Sequence, residues 1–303
     1  MPTNEQRRAT AKRKLERQLE RRAKQARLRR IFVIAAGAIV TVAVIAAVAV
    51  AVMSDRRDHQ GGGTAAPATT ATSSPAQTTT AASTQPGSVP PLPPFKPSAS
   101  VGADCKYPAT KAAAAKDVKP PKTGPGGKVA TDPAQVSASM MTNQGPVGLL
   151  LANNESPCTV NSFASLAQQK YFDGTQCHRL TTSPTLGVLQ CGDPTAKGAG
   201  GPGYQFANEY PTDQYPPDDP KLDEPVLYPR GTLAMANAGP GTNGSQFFLV
   251  YKNSELPPQY TVFGTIQSDG LGTLDKIAKE GVSGGGEDGP PATDVTIKSI
   301  MLD

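Results

Sequence analysis

The sequence has no tryptophan, only two histidines and only four cysteines in 303 residues. Each scarcity excludes a chemistry. Two histidines and no C-x-x-C pair leave no ordinary zinc ligand set. A nucleophilic triad needs an oriented base beside its nucleophile, and no pattern joins His178 to Ser245 in that way, so His178 reads as a structural side chain. The G-x-G-x-x-G match "GAGGPG" (198–203) contains a proline, follows no parallel-type strand and opens no apolar helix, so it is not a dinucleotide fingerprint. "GPGTNGS" (239–245) lacks the lysine of a phosphate loop. The stretch "PTDQYPPDDPKLDEP" (211–225) reads as a solvated acidic loop, with Ca²⁺ binding as the alternative. No cofactor and no bound metal are expected.

Charge is also missing from two long windows. The first is "IFVIAAGAIVTVAVIAAVAVAVM" (31–53), an uncharged run of 23 residues. A helix crosses the hydrocarbon layer with about 20 such residues. The run is too long for the apolar region of a secretory signal, although the small residues near its end leave cleavage as an alternative. Residues 1–30 hold twelve of the 30 Lys/Arg and three of the 25 Asp/Glu, which leaves 18 against 22 for the rest. The basicity therefore belongs to a tail, which reads as a solvated, plausibly helical segment that could also lie on anionic lipid or touch RNA. It does not predict a folded domain that binds nucleic acid, and nucleic acid is not an expected partner. Lys and Arg favour the cytoplasmic side of a membrane. The expectation is a single-pass membrane protein with its tail inside and everything after the span outside.

Residues 54–126 are rich in Pro, Thr, Ala and Ser and poor in large apolar side chains. Such a stretch buries too little surface to offset its ordering entropy, which predicts a disordered linker. The folded domain is then 127–303, long enough for one substantial core. Short β-type runs recur along it: "VSASMMT", "GPVGLLLA", "QCHRLTT", "GVLQCGD", "GTLAMANA", "SQFFLVY", "YTVFGTIQ" and "ATDVTIKSIML". Val160, Phe163, Leu166 and Ala167 mark one helix, and "LGTLDKIAKEGV" a shorter second one. This pattern predicts an eight-stranded antiparallel closed β-barrel capped by two α-helices, preceded by a transmembrane helix and the linker. Outside a membrane, four cysteines favour disulfides, with three possible pairings. The favoured one joins Cys177 to Cys191 on neighbouring strands, which leaves Cys105 with Cys158; four buried thiols are the alternative.

The second uncharged window is "GTLAMANAGPGTNGSQFFLVY" (231–251). Read with "CHRLTTSPTLGVLQCGDP" (177–194) and "LPPQYTVFGTI" (256–266), it resembles the cyclophilin family of peptidyl-prolyl cis–trans isomerases. The family's F-H-R, Q-G-G-D, M-A-N-A-G, N-G-S-Q-F-F and V-F-G motifs appear in this order over roughly residues 137–302, somewhat over half of the chain. The resemblance implies an eight-stranded barrel with two capping helices and isomerisation of X–Pro bonds in proline-containing polypeptides. It further implies that Arg179 is the catalytic arginine, that Gln190 holds it and the substrate carbonyl, and that the backbone of Asn237 bonds the substrate. Gln246 and Phe248 match the polar wall and aromatic floor of the proline pocket, Leu256 its leucine, and Ala236 and Ala238 the adjoining groove.

The sequence departs from the family pattern at several points. Arg179 and Gln190 are eleven residues apart, three more than is common, and "SPTLGVL" replaces P-G-F-M, so that Leu186 and Val188 stand in for the pocket Phe and Met. Tyr260 occupies the usual histidine position, and Glu255 the position where tryptophan is often found, which implies weak cyclosporin binding. The altered hairpin motivates an alternative function, a proline-binding adaptor or holdase with little isomerase activity.

Overall fold

The computed structural model describes residues 89–303. The basic tail, the uncharged run at 31–53 and the first part of the linker lie outside the described residues. Among the described residues, no helix is long and apolar enough to cross a membrane.

The elements are β1 (Gln135–Thr142), β2 (Gly145–Ala152), α1 (Pro157–Gln168), β3 (Thr175–Gln176), β4 (Arg179–Thr181), β5 (Gly187–Cys191), β6 (Val226–Tyr228), β7 (Thr232–Met235), β8 (Phe247–Lys252), β9 (Ser254–Leu256), β10 (Val262–Ile266), α2 (Ser268–Glu280), β11 (Asp288–Gly289) and β12 (Thr296–Leu302). Ten strands form one antiparallel sheet in the order β11-β4-β5-β8-β7-β10-β2-β1-β12-β3, and β6 pairs with β9 in a separate ribbon. The expected closed eight-stranded barrel is corrected here to a mostly β, open half-barrel with two helices. Its edges are β11 and β3. The opening falls inside "QCHRLTT", which divides into two strands. Thr175 and Gln176 pair with β12, Arg179 and Leu180 pair with β5, and Cys177 and His178 turn the corner between them. The chain crosses this corner covalently while the hydrogen-bond ladder does not.

Alternation along the strands gives the curved sheet two apolar faces. Leu189, Leu233, Phe247, Leu249 and Phe263 point into the main core. Val188, Ala234, Phe248, Val250 and Val262 point the other way, into a second cluster with Tyr210, Val226 and Tyr228. Helix α1 buries Val160, Phe163, Leu166 and Ala167, and the Phe163 ring meets those of Phe172, Phe247 and Phe263 at 5.2–5.4 Å between centroids. The helix starts with Pro157 at its first turn, where a missing N–H costs nothing. Its N-terminal dipole faces the buried Glu209 carboxylate, which accepts from Cys158 N, Thr159 N and Thr159 Oγ1 at 2.6–2.9 Å. Burial nevertheless pushes the Glu209 carboxyl up to about 7. Helix α2 packs on β2 and buries Leu274 and Ile277.

The expected linker also needs correction over its described part. Residues 89–126 form an arm laid on the domain. Pro91 bridges to Leu227 of β6, and Leu92 and Phe95 pack against the second cluster, with Phe95 edge-on to Tyr210 at 5.6 Å. Tyr107 Oη donates to Cys158 O at 2.7 Å, and Lys116 Nζ donates to Tyr171 O and Asp173 O. A few anchors, Leu92, Phe95, Cys105 and Tyr107, offset the ordering entropy that the average composition could not. Both favoured disulfides are present, Cys105–Cys158 and Cys177–Cys191, and no described cysteine is free. The first ties the arm to α1, and the second ties the β3–β4 corner to the end of β5.

Candidate active site

Register brings the site together. Arg179 on β4 is paired with Gln190 on β5, Gln190 with Phe248 on β8, and Phe248 with Ala234 on β7. Directly opposed residues in an antiparallel sheet share a face. The guanidinium, the amide and the phenyl ring therefore stand in one row on the outer face. The hairpin from Thr181 to Val188 is closed by Val188 N donating to Thr181 Oγ1 at 3.0 Å and by a bridge between Ser183 and Leu186. It folds Leu186 and Val188 over the end of that row. Gly192, at φ +88°, makes the sharp exit from β5, where a Cβ would collide with the Ser245 carbonyl oxygen.

A cavity of about 180 Å³ is lined by Arg179, Leu186, Val188, Gln190, Ala236, Asn237, Phe248, Leu256 and Tyr260. The structure thus gathers nine of the eleven residues expected at the site. Ala238 and Gln246 lie instead on an adjoining depression of about 420 Å³, which shares Gln190, Ala236 and Asn237 with the first and is otherwise walled by residues 198–205, by Thr242, Gly244 and Ser245, and by Thr110, Ala112 and Ala113 of the arm. The larger space holds neither the guanidinium nor the phenyl floor. Phe248 meets Tyr260 edge-on at 5.8 Å, and Tyr228 Oη donates to Pro257 O and Tyr260 O, which fixes the loop carrying Leu256 and Tyr260.

Polar groups form a relay across the row. Arg179 donates Nε and Nη2 to the two carboxylate oxygens of Asp288, both at 2.7 Å, and Nη1 to Gln190 Oε1 at 3.3 Å. Gln190 Nε2 donates to Gln246 Oε1 at 2.9 Å, and Gln246 Nε2 to Gly200 O at 3.0 Å. The hydrogen bonds to Asp288 raise the Arg179 pKa further and hold the Asp288 carboxyl below the usual range. Gly200 is held in turn by Asp193, which accepts from Thr195, Lys197, Ala199 and Gly200 backbone N–H groups and from Thr195 Oγ1. Burial alone would raise the Asp193 pKa; these hydrogen bonds outweigh it and the pKa is lowered. "GAGGPG" is therefore a carboxylate-braced wall of the site.

The Asn237 side chain is fully engaged, with Nδ2 donating to Gln259 O and Asn243 Oδ1 and Oδ1 accepting from Gly239 N. Its backbone N–H and C=O make no hydrogen bond among the described residues. They form a free edge beside the cavity. His178 lies behind Arg179 with both ring nitrogens buried and unpaired among the described residues. Burial lowers its pKa, the neighbouring Arg179 lowers it further and Asp193 opposes the shift, so the ring is neutral at pH 7. Asp288, Gly200 and Tyr228 were not expected at the site. Asp288 lies 109 residues from Arg179, and no motif connects the two.

Comparison with known proteins places the chain in a family. A family profile described as cyclophilin type peptidyl-prolyl cis-trans isomerase matches residues 137–302. The chain belongs to the cyclophilin-type peptidyl-prolyl cis–trans isomerases. It is 71% identical over 303 residues to a probable peptidyl-prolyl cis-trans isomerase B of Mycobacterium leprae, covering 100% of both chains. It is also 71% identical to the protein of that name from Mycobacterium tuberculosis, covering 95% of it. Peptidyl-prolyl cis-trans isomerase B of Streptomyces anulatus is 35% identical over 188 residues, 56% of this chain and 97% of that one. A solved cyclophilin of Cryptosporidium parvum is 30% identical, covers 56% of this chain and 98% of its own, and superposes with a TM-score of 0.45.

Proposed function

We propose that this isomerase acts through the Arg179 guanidinium on a proline ring seated in the smaller cavity. Rotation about an X–Pro bond faces a barrier of about 18–20 kcal/mol because it breaks amide resonance. No nucleophile is needed. The requirement is to bind the twisted amide more tightly than either planar one. As the bond twists, the prolyl nitrogen becomes pyramidal and its lone pair, no longer shared with the carbonyl, localises on it, and a fixed, permanently charged donor favours that state. Arg179 has such donors at the rim of a cavity floored by Phe248 and walled by Leu186, Val188 and Leu256. Gln190 holds the guanidinium, and the free backbone edge of Asn237 suits a peptide running across it.

The observation that carries this reading is the shared register row of Arg179, Gln190 and Phe248. Exchange spectroscopy on an Ala-Pro peptide tests it. Arg179→Ala is expected to slow catalysed exchange by roughly 10²–10³-fold, the usual cost of removing one preorganised donor. Equal exchange by the variant and the wild type would end the reading. Peptide binding without catalysis in the wild type would select the adaptor or holdase function.

We further propose that the domain works outside the cytoplasmic membrane on secreted or unfolded chains, assisting their folding. The uncharged run at 31–53, the basic residues before it and the two disulfides support this. Protease shaving of intact cells is expected to remove the domain and leave the tail.

A further inference from the structure

The guanidinium of Arg179 has five N–H donors in a rigid plane. Two of them, on Nε and Nη2, are taken by Asp288, and one on Nη1 by Gln190. One donor is left on each terminal nitrogen. The Asp288 bonds are the shorter ones, 2.7 Å each against 3.3 Å to Gln190, and they grip one whole edge of the plane. Two parallel bonds to one carboxylate fix the angle of that plane, which a single bond to an amide oxygen cannot do.

Asp288 is itself held by backbone. It lies on β11, where Asp288 pairs with Thr181 and Gly289 with Leu180 of β4, the strand that carries Arg179. The carboxylate and the guanidinium thus project from neighbouring strands. The pair is exposed, at 38% for Arg179 and 56% for Asp288, so water screens it and it adds little to stability. Its two aligned short bonds are better explained by orientation.

We propose that Asp288 is a positioning residue for the isomerase reaction, turning the two remaining Arg179 donors towards the proline pocket. This rests on the reading that Arg179 serves the prolyl amide. Asp288 would not touch the substrate, and its effect would pass entirely through the angle of the guanidinium. Small displacements of a catalytic group are costly, so Asp288→Ala is expected to lower kcat by about ten- to a hundred-fold with little change in KM.

The experiment uses the full chain with Asp288→Ala, Asp288→Glu, Arg179→Ala and the double variant, measured by exchange spectroscopy on an Ala-Pro peptide. Asp288→Glu, which keeps a two-oxygen acceptor, is expected to recover part of kcat. Asp288→Ala placed on Arg179→Ala is expected to cause no further loss. The ¹⁵Nε–H resonance of Arg179 should be slow to exchange in the wild type and lost in Asp288→Ala, with the backbone amide spectrum otherwise retained. An unchanged kcat in Asp288→Ala, while Arg179→Ala is inactive, overturns the positioning role and leaves the Arg179 reading intact. An equal further loss on the Arg179→Ala background also overturns it, because the effect would then be structural. An active Arg179→Ala enzyme would instead bring down the underlying reading.

Discussion

The strands β5, β8 and β7 carry two faces that are finished differently. On the inner face, Leu189, Leu233, Phe247 and Leu249 are at most 1% exposed. One residue along β5 and β8, the outer face holds Gln190 and Phe248, with Val188 beside them, under an open cavity of about 180 Å³. The backbone, ladder and twist are common to both. The side chains of the inner face are buried throughout. The outer face has its floor and walls but lacks the final layer that a proline ring could supply. On the proposed reading the pocket is a second core left incomplete, and neighbouring residues on one strand would serve stability and recognition separately.

The strongest test of this contrast compares Phe247→Ala with Phe248→Ala. Removing the buried Phe247 ring should cost about 3–5 kcal/mol in denaturant unfolding, with KM unchanged in the molecules that remain folded. Phe248→Ala should cost less stability, because part of its ring faces the cavity, and raise KM roughly tenfold or more. Equal losses of stability and affinity in the two variants would erase the distinction between the faces.

The disulfides sharpen it at a slightly smaller scale. Cys105–Cys158 spans 53 residues and Cys177–Cys191 spans 14. Loop-closure entropy assigns them about 4 and about 3 kcal/mol. Replacing the first pair by serines should lower the unfolding midpoint and leave kcat alone. Replacing the second should also lower kcat, because it ties the corner before Arg179 to the residue after Gln190. Identical kcat in the two double variants would separate the corner from the chemistry.

The smallest effect concerns acid. Asp193 has a lowered carboxyl pKa in the folded state; that of the exposed Asp288 is lowered too, but water screens its ion pair and it adds little. Folding therefore favours the ionised form of Asp193. That stabilisation is present above the ordinary aspartate pKa and is lost as pH falls through the depressed folded value. Tm should decline below about pH 4, and Asp193→Asn should flatten that decline. An unaltered slope in the variant would show that the brace on Gly200 does not sense protonation.

Much of the site was legible because its residues sit in short contiguous motifs. "LQCGD" and "SQFF" place Gln190 and Phe248 inside their strands, and antiparallel pairing does the rest. Leu186 and Val188, in a hairpin without a familiar motif, line the cavity because a strand that alternates must return Val188 to the face of Gln190. What was illegible depends on long-range pairing. β3, β6, β9 and β11 have two or three residues each, too few to show a period, so the sheet was expected to have eight strands and to close. Asp288 belongs to β11 and was invisible for the same reason. The arm was hidden differently, since average composition says nothing about where a few anchors fall.

The Cys105–Cys158 bond also has a mechanical consequence. Tension arriving along the chain from its N-terminal side would first peel Pro91 from Leu227 and lift Leu92 and Phe95, all of which are non-covalent holds. It would then meet the sulfur bridge and pass into the first turn of α1. The strands bearing Arg179, Gln190 and Phe248 lie beyond that point in the chain and outside the path of the load. A domain pulled from its N-terminal side would therefore keep the row of Arg179, Gln190 and Phe248 in register, much as a suspended instrument is hung by its frame.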